Sequence, residues 1–128
     1  MQLLLDTHAL IWWLTDNELL SKIANEAVAE PSNVVYVSAA SAWEIATKHR
    51  IGKLPLAGRL DGALAEVVAK ERFRELPISL THGESAGALA GSHRDPFDRM
   101  LIAQALAEGL TLVSNERLFD AFGVARLW

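Results

Sequence analysis

The chain of 128 residues contains no cysteine. That excludes disulfides, thiolate metal sites and cysteine nucleophiles, and leaves oxygen and imidazole as the ligands open to a metal ion. A membrane-length apolar run is also missing, since no stretch approaches the ~18 uninterrupted apolar residues of a spanning helix. The apolar opening is cut by Asp6 and has no basic region ahead of it, so it reads as a buried strand rather than a secretion signal. A cytoplasmic protein with no membrane partner is the expectation. Positive charge is scarce: 12 Lys and Arg stand against 16 Asp and Glu, for a formal net charge of −4. Such a chain does not hold nucleic acid by bulk electrostatics, so any contact of that kind is local or helped by bound cations. No Gly-rich phosphate loop with a following Lys and no G-x-S-x-G turn is present, which removes NTPase and α/β-hydrolase readings. The histidines, His8, His49, His82 and His93, contain no zinc-helix pair at i, i+4; they read as loop or surface residues, with His93 placed near the acidic residues.

What is present is a globular composition, 51% hydrophobic and 22% charged, on a chain whose length fits one domain over residues 1–128. The slight apolar surplus fits an oligomer interface. Residues 2–5 are apolar without alternation, as in a strand buried on both faces. Residues 7–14 turn helical, with Thr7 as a cap, and residues 21–30 form a second helix behind Ser21. The β-branched and aromatic run 34–37 is a strand, and Ser38 caps a helix that ends near Ile51 and Gly52. After a Pro- and Gly-containing loop, residues 61–73 read as a helix and 76–79 as a strand. Thr81 with Glu84 spells a capping box for a small helix ending near Gly91. Asp95 and Pro96 are N-cap and first helical residue of a helix that Gly109 stops. Residues 110–113 are a strand, 116–122 a short helix and 124–127 an edge strand. Alternation of strands and helices predicts a three-layer α/β/α domain around a central, mainly parallel sheet of four to five strands.

In an open parallel sheet the binding crevice lies beyond the carboxyl ends of the strands. Asp6 follows the first strand, Glu44 lies in the helix after the second, and Ser114, Asn115 and Glu116 follow the fourth; the loop and first turn before the long C-terminal helix add Asp95 and Asp98. Carboxylates gathered in a partly desolvated crevice repel one another unless cations sit between them. Mg²⁺, with Mn²⁺ as substitute, takes oxygen ligands and keeps several waters, so few carboxylates suffice and positions remain for phosphate oxygens. The chemistry such a site serves is phosphoryl transfer to water. Each acid also has a structural role open to it. Asp6 and Asp95 are N-cap candidates, Ser41 with Glu44 spells a capping box, and Asp98 and Glu116 sit where a helix dipole favours negative charge.

Four segments together resemble the PIN-domain ribonucleases of the VapC toxin type: LLLDTHALIWWL, VSAASAWEIATKHRIGKL, HRDPFDRMLIAQA and LVSNERLF. The resemblance covers essentially the full length. It implies a catalytic set of Asp6, Glu44, Asp98 and Glu116, with Asp6 and Asp98 holding metal and Thr7, Asp95, Ser114 and Asn115 in support. The last motif departs from the usual Thr-x-Asp: Ser114-Asn115-Glu116 carries its carboxylate one methylene farther out, which implies action through water or at a second, weaker metal. Also implied are Mg²⁺-dependent endonucleolytic RNA cleavage, a cognate antitoxin and a homodimer. RNA would approach along Lys48, His49, Arg50 and Lys53, with Arg94 and Arg99 near the site; the first of these equally suit a solvated helix end. Of the adjacent Trp12 and Trp13, one is expected in the core and the other at an interface. Competing readings are a non-toxin RNA-processing nuclease, a PIN domain that only binds a partner, and a receiver-type signalling module. The last lacks its acidic pair after the first strand and its Lys after the last.

Overall fold

The strand β1 (Gln2–Leu5) sets the architecture, because Leu3, Leu4 and Leu5 are all fully buried. A strand with no exposed face has to lie mid-sheet with layers on both sides. The computed structural model describes all residues, Met1–Trp128. Around β1 run β2 (Val34–Ser38), β3 (Arg74–Leu76), β4 (Thr111–Val113) and β5 (Arg126–Leu127), in the order β3-β2-β1-β4-β5 with every neighbouring pair parallel. The expected sheet was mainly parallel; the observed one is parallel throughout.

Side chains alternate across the sheet. Leu3, Leu5, Val35, Val37 and Val113 share one apolar cluster with Ala9, Leu10 and Leu14 of α1 (Thr7–Leu14), Ala24 and Val28 of α2 (Lys22–Ala29), and Val67 and Val68 of α4 (Leu64–Lys70). Leu4 and Leu112 face the other way, onto Leu101, Ile102 and Ala105 of α6 (Pro96–Glu108), which also packs against α5 (Leu80–Ala88). Helix α3 (Ala39–Arg50) gives Ile45 to the first cluster and Ala40 to the second. The result is the α/β/α sandwich expected from the alternation. No helix is long and apolar enough to cross a membrane.

Several local expectations need correction. The residue that caps α1 is Asp6, whose Oδ1 accepts from the Ala9 amide at 2.7 Å; Thr7 instead donates its hydroxyl to Ser41. Helix α4 is shorter than the apolar pattern implied, since Gly62 before it and Arg72 after it have positive φ. Strand β3 lies two residues earlier than expected, because Pro77 has no N–H to give a sheet ladder. Helix α5 is capped by Ser79, not Thr81. Its capping box pairs Ser79 with His82, whose Nδ1 accepts from the Ser79 amide at 3.0 Å. His82 is therefore buried, with Nε2 2.9 Å from a Glu108 carboxylate oxygen, and is not a surface residue. The short helix expected over residues 116–122 is present over 117–122, as a 3-10 helix.

Candidate functional site

Strands β2 and β3 lie to one side of β1, and β4 and β5 to the other, so the chain changes direction between β1 and β4. A crevice opens at the carboxyl ends of strands where the order reverses in this way. Here it is a polar cleft of about 260 Å³, lined by Asp6, Glu44, Asp95, Asp98, Asn115 and Glu116 together with Lys48, His8, Trp12 and Phe119. Every acid singled out from the sequence lies on its wall.

Asp6 sits where β1 hands over to α1, and its amide donates to Val113 of β4 at 3.1 Å. The Asp6 carboxylate caps Ala9 and is also hydrogen-bonded by Ser114. Burial nevertheless dominates and pushes its pKa above the ordinary carboxylate value, with the charge of Asp98 adding to the rise. Asp98 occupies the first turn of α6, oriented by Asp95, whose Oδ1 accepts from the Phe97 and Asp98 amides at 2.9 and 3.1 Å. Asp95 is thus the N-cap, with Pro96 following it. Burial also raises the Asp98 pKa, against a hydrogen bond from His93 Nε2 at 2.8 Å and with repulsion from Asp95 and Glu44.

Glu44 is buried on α3, one turn before Lys48, whose ammonium lies 2.6 Å from Glu44 Oε2. The helix begins at Ser38, so the Ser41–Glu44 pattern marks no helix start. Thr7 and Ser41, joined at 3.0 Å, tie the start of α1 to α3. Glu116 caps the 3-10 turn through Oε1, 3.1 Å from the Leu118 amide, while its own amide donates to Ser114 Oγ.

The basic residues are dispersed. Lys48 lies in the cleft, Arg50 and Lys53 are exposed outside its lining, and Arg94 borders a separate hollow with Ser92, His93 and Phe122. Arg99 is not free for RNA: its guanidinium donates to the carbonyls of Ala86, Leu89 and His93 at 2.5–3.1 Å. It holds the loop ahead of α6 in place. Trp12 and Trp13 are both half-buried against the same apolar cluster, so neither is a pure core residue. Trp13 donates Nε1–H to Glu71 and lies under Arg59. The cleft-lining role of Trp12 and His8 was missed from the sequence, though both follow Asp6 on one short helix.

No three Asp, Glu or His side chains close into a cage for a metal ion. The donor set suits a hard cation that needs no cage, because Mg²⁺ and Mn²⁺ bind through one or two carboxylates and keep waters on their other positions. A buried Asp6 and a half-buried Asp98, both with pKa raised by burial and Asp6 further by the charge of Asp98, with a single and already paired lysine nearby, are an arrangement a divalent cation relieves.

Fold and cleft together define a PIN domain, and the PIN-domain family model matches residues 3–124: the chain belongs to that family. It is 31% identical over 115 residues to Ribonuclease VapC22 of Mycobacterium tuberculosis, covering 89% of this chain and 86% of that protein. Its fold is similar to a chain of the VapBC2 complex from Rickettsia felis, with TM-score 0.73 and 17% identity over 99% of this chain and 98% of that one. It is also similar to VapC20 of Mycobacterium tuberculosis, a Sarcin-Ricin loop cleaving toxin, with TM-score 0.67 and 15% identity over 96% of each chain.

Proposed function

We propose that this protein is a metal-dependent endoribonuclease, the toxin of a toxin–antitoxin pair, which hydrolyses RNA in the cleft beyond β1 and β4. The observation that carries the proposal is the meeting of Asp6, Asp98 and Glu44, from three separate elements, around a cleft where burial leaves the two aspartates poorly compensated. Kinship with a VapC ribonuclease at 31% identity supports the same substrate class.

In this proposal Asp6 and Asp98 hold Mg²⁺, or Mn²⁺ in its place. The bound cation would supply charge neutralisation at the scissile phosphate and a more acidic water. Asp6 is positioned by its cap on α1 and by Ser114, and Asp98 by Asp95 and His93. Glu44, buried and oriented by Lys48, accepts a hydrogen bond from the attacking water on the α3 side of the cleft. Lys48 then faces the phosphate as the local cation, and Glu116, with one oxygen engaged as a cap, acts through water. Residues 1–128 serve as one nuclease domain. The partners are RNA and a cognate antitoxin, with a homodimer as the assembly and the cytoplasm as the location.

The test is cleavage of RNA by purified protein in Mg²⁺. Activity abolished by chelator and by Asp98→Asn supports the proposal, whereas cleavage that persists in either refutes it. Growth arrest on induced expression, relieved by a co-expressed antitoxin, separates a toxin from an RNA-processing nuclease. The capping engagement of Glu116 favours one further reading, a PIN domain that binds a partner without catalysis; intact RNA under all metal conditions would select it.

A further inference from the structure

The acidic cleft has an aromatic wall. Trp12 and, one helical turn earlier, His8 line it from α1. Their ring centroids are 5.7 Å apart with planes inclined at 38°. Behind Trp12 the Trp128 indole packs edge-on at 5.8 Å and 61°, which fixes the ring. Trp12 is half-buried and His8 exposed, so the pair presents a braced aromatic surface to the cleft.

Charge decides what that surface can hold. Five carboxylates and one lysine line the cleft, and the lysine is paired with Glu44. A cation held by Asp6 and Asp98, with the Glu44-paired Lys48, would face the scissile phosphate, and the lining holds no further lysine or arginine for the phosphates on either side. Affinity for a flanking nucleotide then has to come from its uncharged part, the base. Aromatic rings are the side chains that stack an unpaired base, and they do so with every base because each has a π face.

We propose that Trp12, flanked by His8, is the stacking platform for a nucleobase next to the scissile phosphate of single-stranded RNA. This rests on the nuclease assignment of the cleft. A base paired in a duplex cannot lie against the ring, so the platform selects unpaired segments, with modest preference for the larger face of a purine.

The experiment has a binding arm and a cleavage arm. In Mg²⁺, AMP and ribose 5-phosphate are titrated into the protein by NMR. AMP should bind about 5- to 150-fold more tightly, the range that one stacked base contributes, and should shift the Trp12 indole resonance. In Trp12→Leu the two ligands should bind alike, and Trp12→Phe should keep part of the difference. In the cleavage arm, an oligoribonucleotide made abasic beside the mapped cut should raise KM for wild type by a similar factor, but leave Trp12→Leu nearly unaffected. Equal binding of AMP and ribose 5-phosphate by wild type would overturn the proposal even if the Leu variant failed to fold. So would a folded Trp12→Leu that changes its sedimentation while keeping the AMP preference, which would make the wall a protein contact. A wild type that binds neither ligand and cuts no RNA would instead bring down the nuclease assignment itself.

Discussion

Asp6 has a structural and a chemical task, and two substitutions separate them. Asn at position 6 keeps a side-chain oxygen for the Ala9 amide and removes the charge, and Asn is as good an N-cap as Asp. Ala removes both, and loss of a cap costs about 1 kcal/mol, with a range of roughly 0.5–2. For a domain of this size that is on the order of 4 °C in Tm. In chelator, Asp6→Asn should therefore melt no lower than wild type, and higher if relief of the buried charge dominates, while Asp6→Ala melts about 4 °C lower. Divalent cation reverses the order. At a hundredfold excess over its Kd, a ligand that binds only the folded state stabilises by about 2.7 kcal/mol, so wild type should gain on the order of 10 °C and Asp6→Asn almost none. Thermal unfolding followed by circular dichroism, in EDTA and in MgCl₂ or MnCl₂, gives all six values, and RNA cleavage by the same samples gives activity. An Asp6→Asn protein as unstable in EDTA as Asp6→Ala would refute the reasoning, because the charge would then be needed by the fold and not by a metal.

Three further outcomes are expected. The carboxyls of Asp6 and Asp98 titrate higher in the folded chain than their ordinary value of 3.8, so the native state holds more protons and the stability they contribute is fully present in acid. Metal-free stability should fall as pH rises from about that value through the raised folded pKa values; a profile that Asp6→Asn leaves unchanged would contradict this. Arg99→Lys should lose the fork that grips three carbonyls, lowering stability by about 2 kcal/mol and weakening Mn²⁺ binding through the loosened loop; a change confined to the salt dependence of RNA binding would restore Arg99 as a phosphate contact. Gly58→Ala should cost more than Gly109→Ala, which costs about 1 kcal/mol. Both glycines have positive φ, of 55° and 65°, but only at Gly58 would a Cβ meet backbone, 3.0 Å from the Leu14 carbonyl. Equal Tm losses would remove that contact from the account.

The sheet and its flanking helices were legible because burial writes itself into pattern: Leu3, Leu4 and Leu5 without alternation, then apolar residues at helical spacing. Boundaries went astray where one residue overrode the pattern. Pro77 ends a ladder that Ile78 would otherwise have extended, and His82 plays the capping-box part usually given to Glu or Gln, so the pair Thr81 and Glu84 drew attention away from Ser79. Asp6, Glu44 and Glu116 were legible from their places after strands, and Asp95 and Asp98 from the Asp-Pro pair that starts a helix. The aromatic wall was not: adjacency shows that Trp12 and Trp13 point apart but not which one meets the cleft. Arg99 was misread because it follows Asp98, although successive helical residues point about 100° apart, and this step turns the guanidinium toward the carbonyls around the end of α5.

Cap and ligand looked like alternatives for Asp6, Asp95 and Glu116, and the geometry removes the choice. A carboxylate has two oxygens and roughly four lone-pair sites. Asp6 uses Oδ1 on Ala9 and Glu116 uses Oε1 on Leu118, which fixes each side-chain torsion and leaves acceptor capacity directed into the cleft. A long acidic side chain in water loses rotamer entropy on binding a cation; one already held by an amide has lost it on folding. Asp95, capping with Oδ1 alone, does the same service one step removed by setting the turn that carries Asp98. The N-termini of three elements therefore preorganise the acidic site, and the stability gained from capping offsets part of what crowding those charges costs.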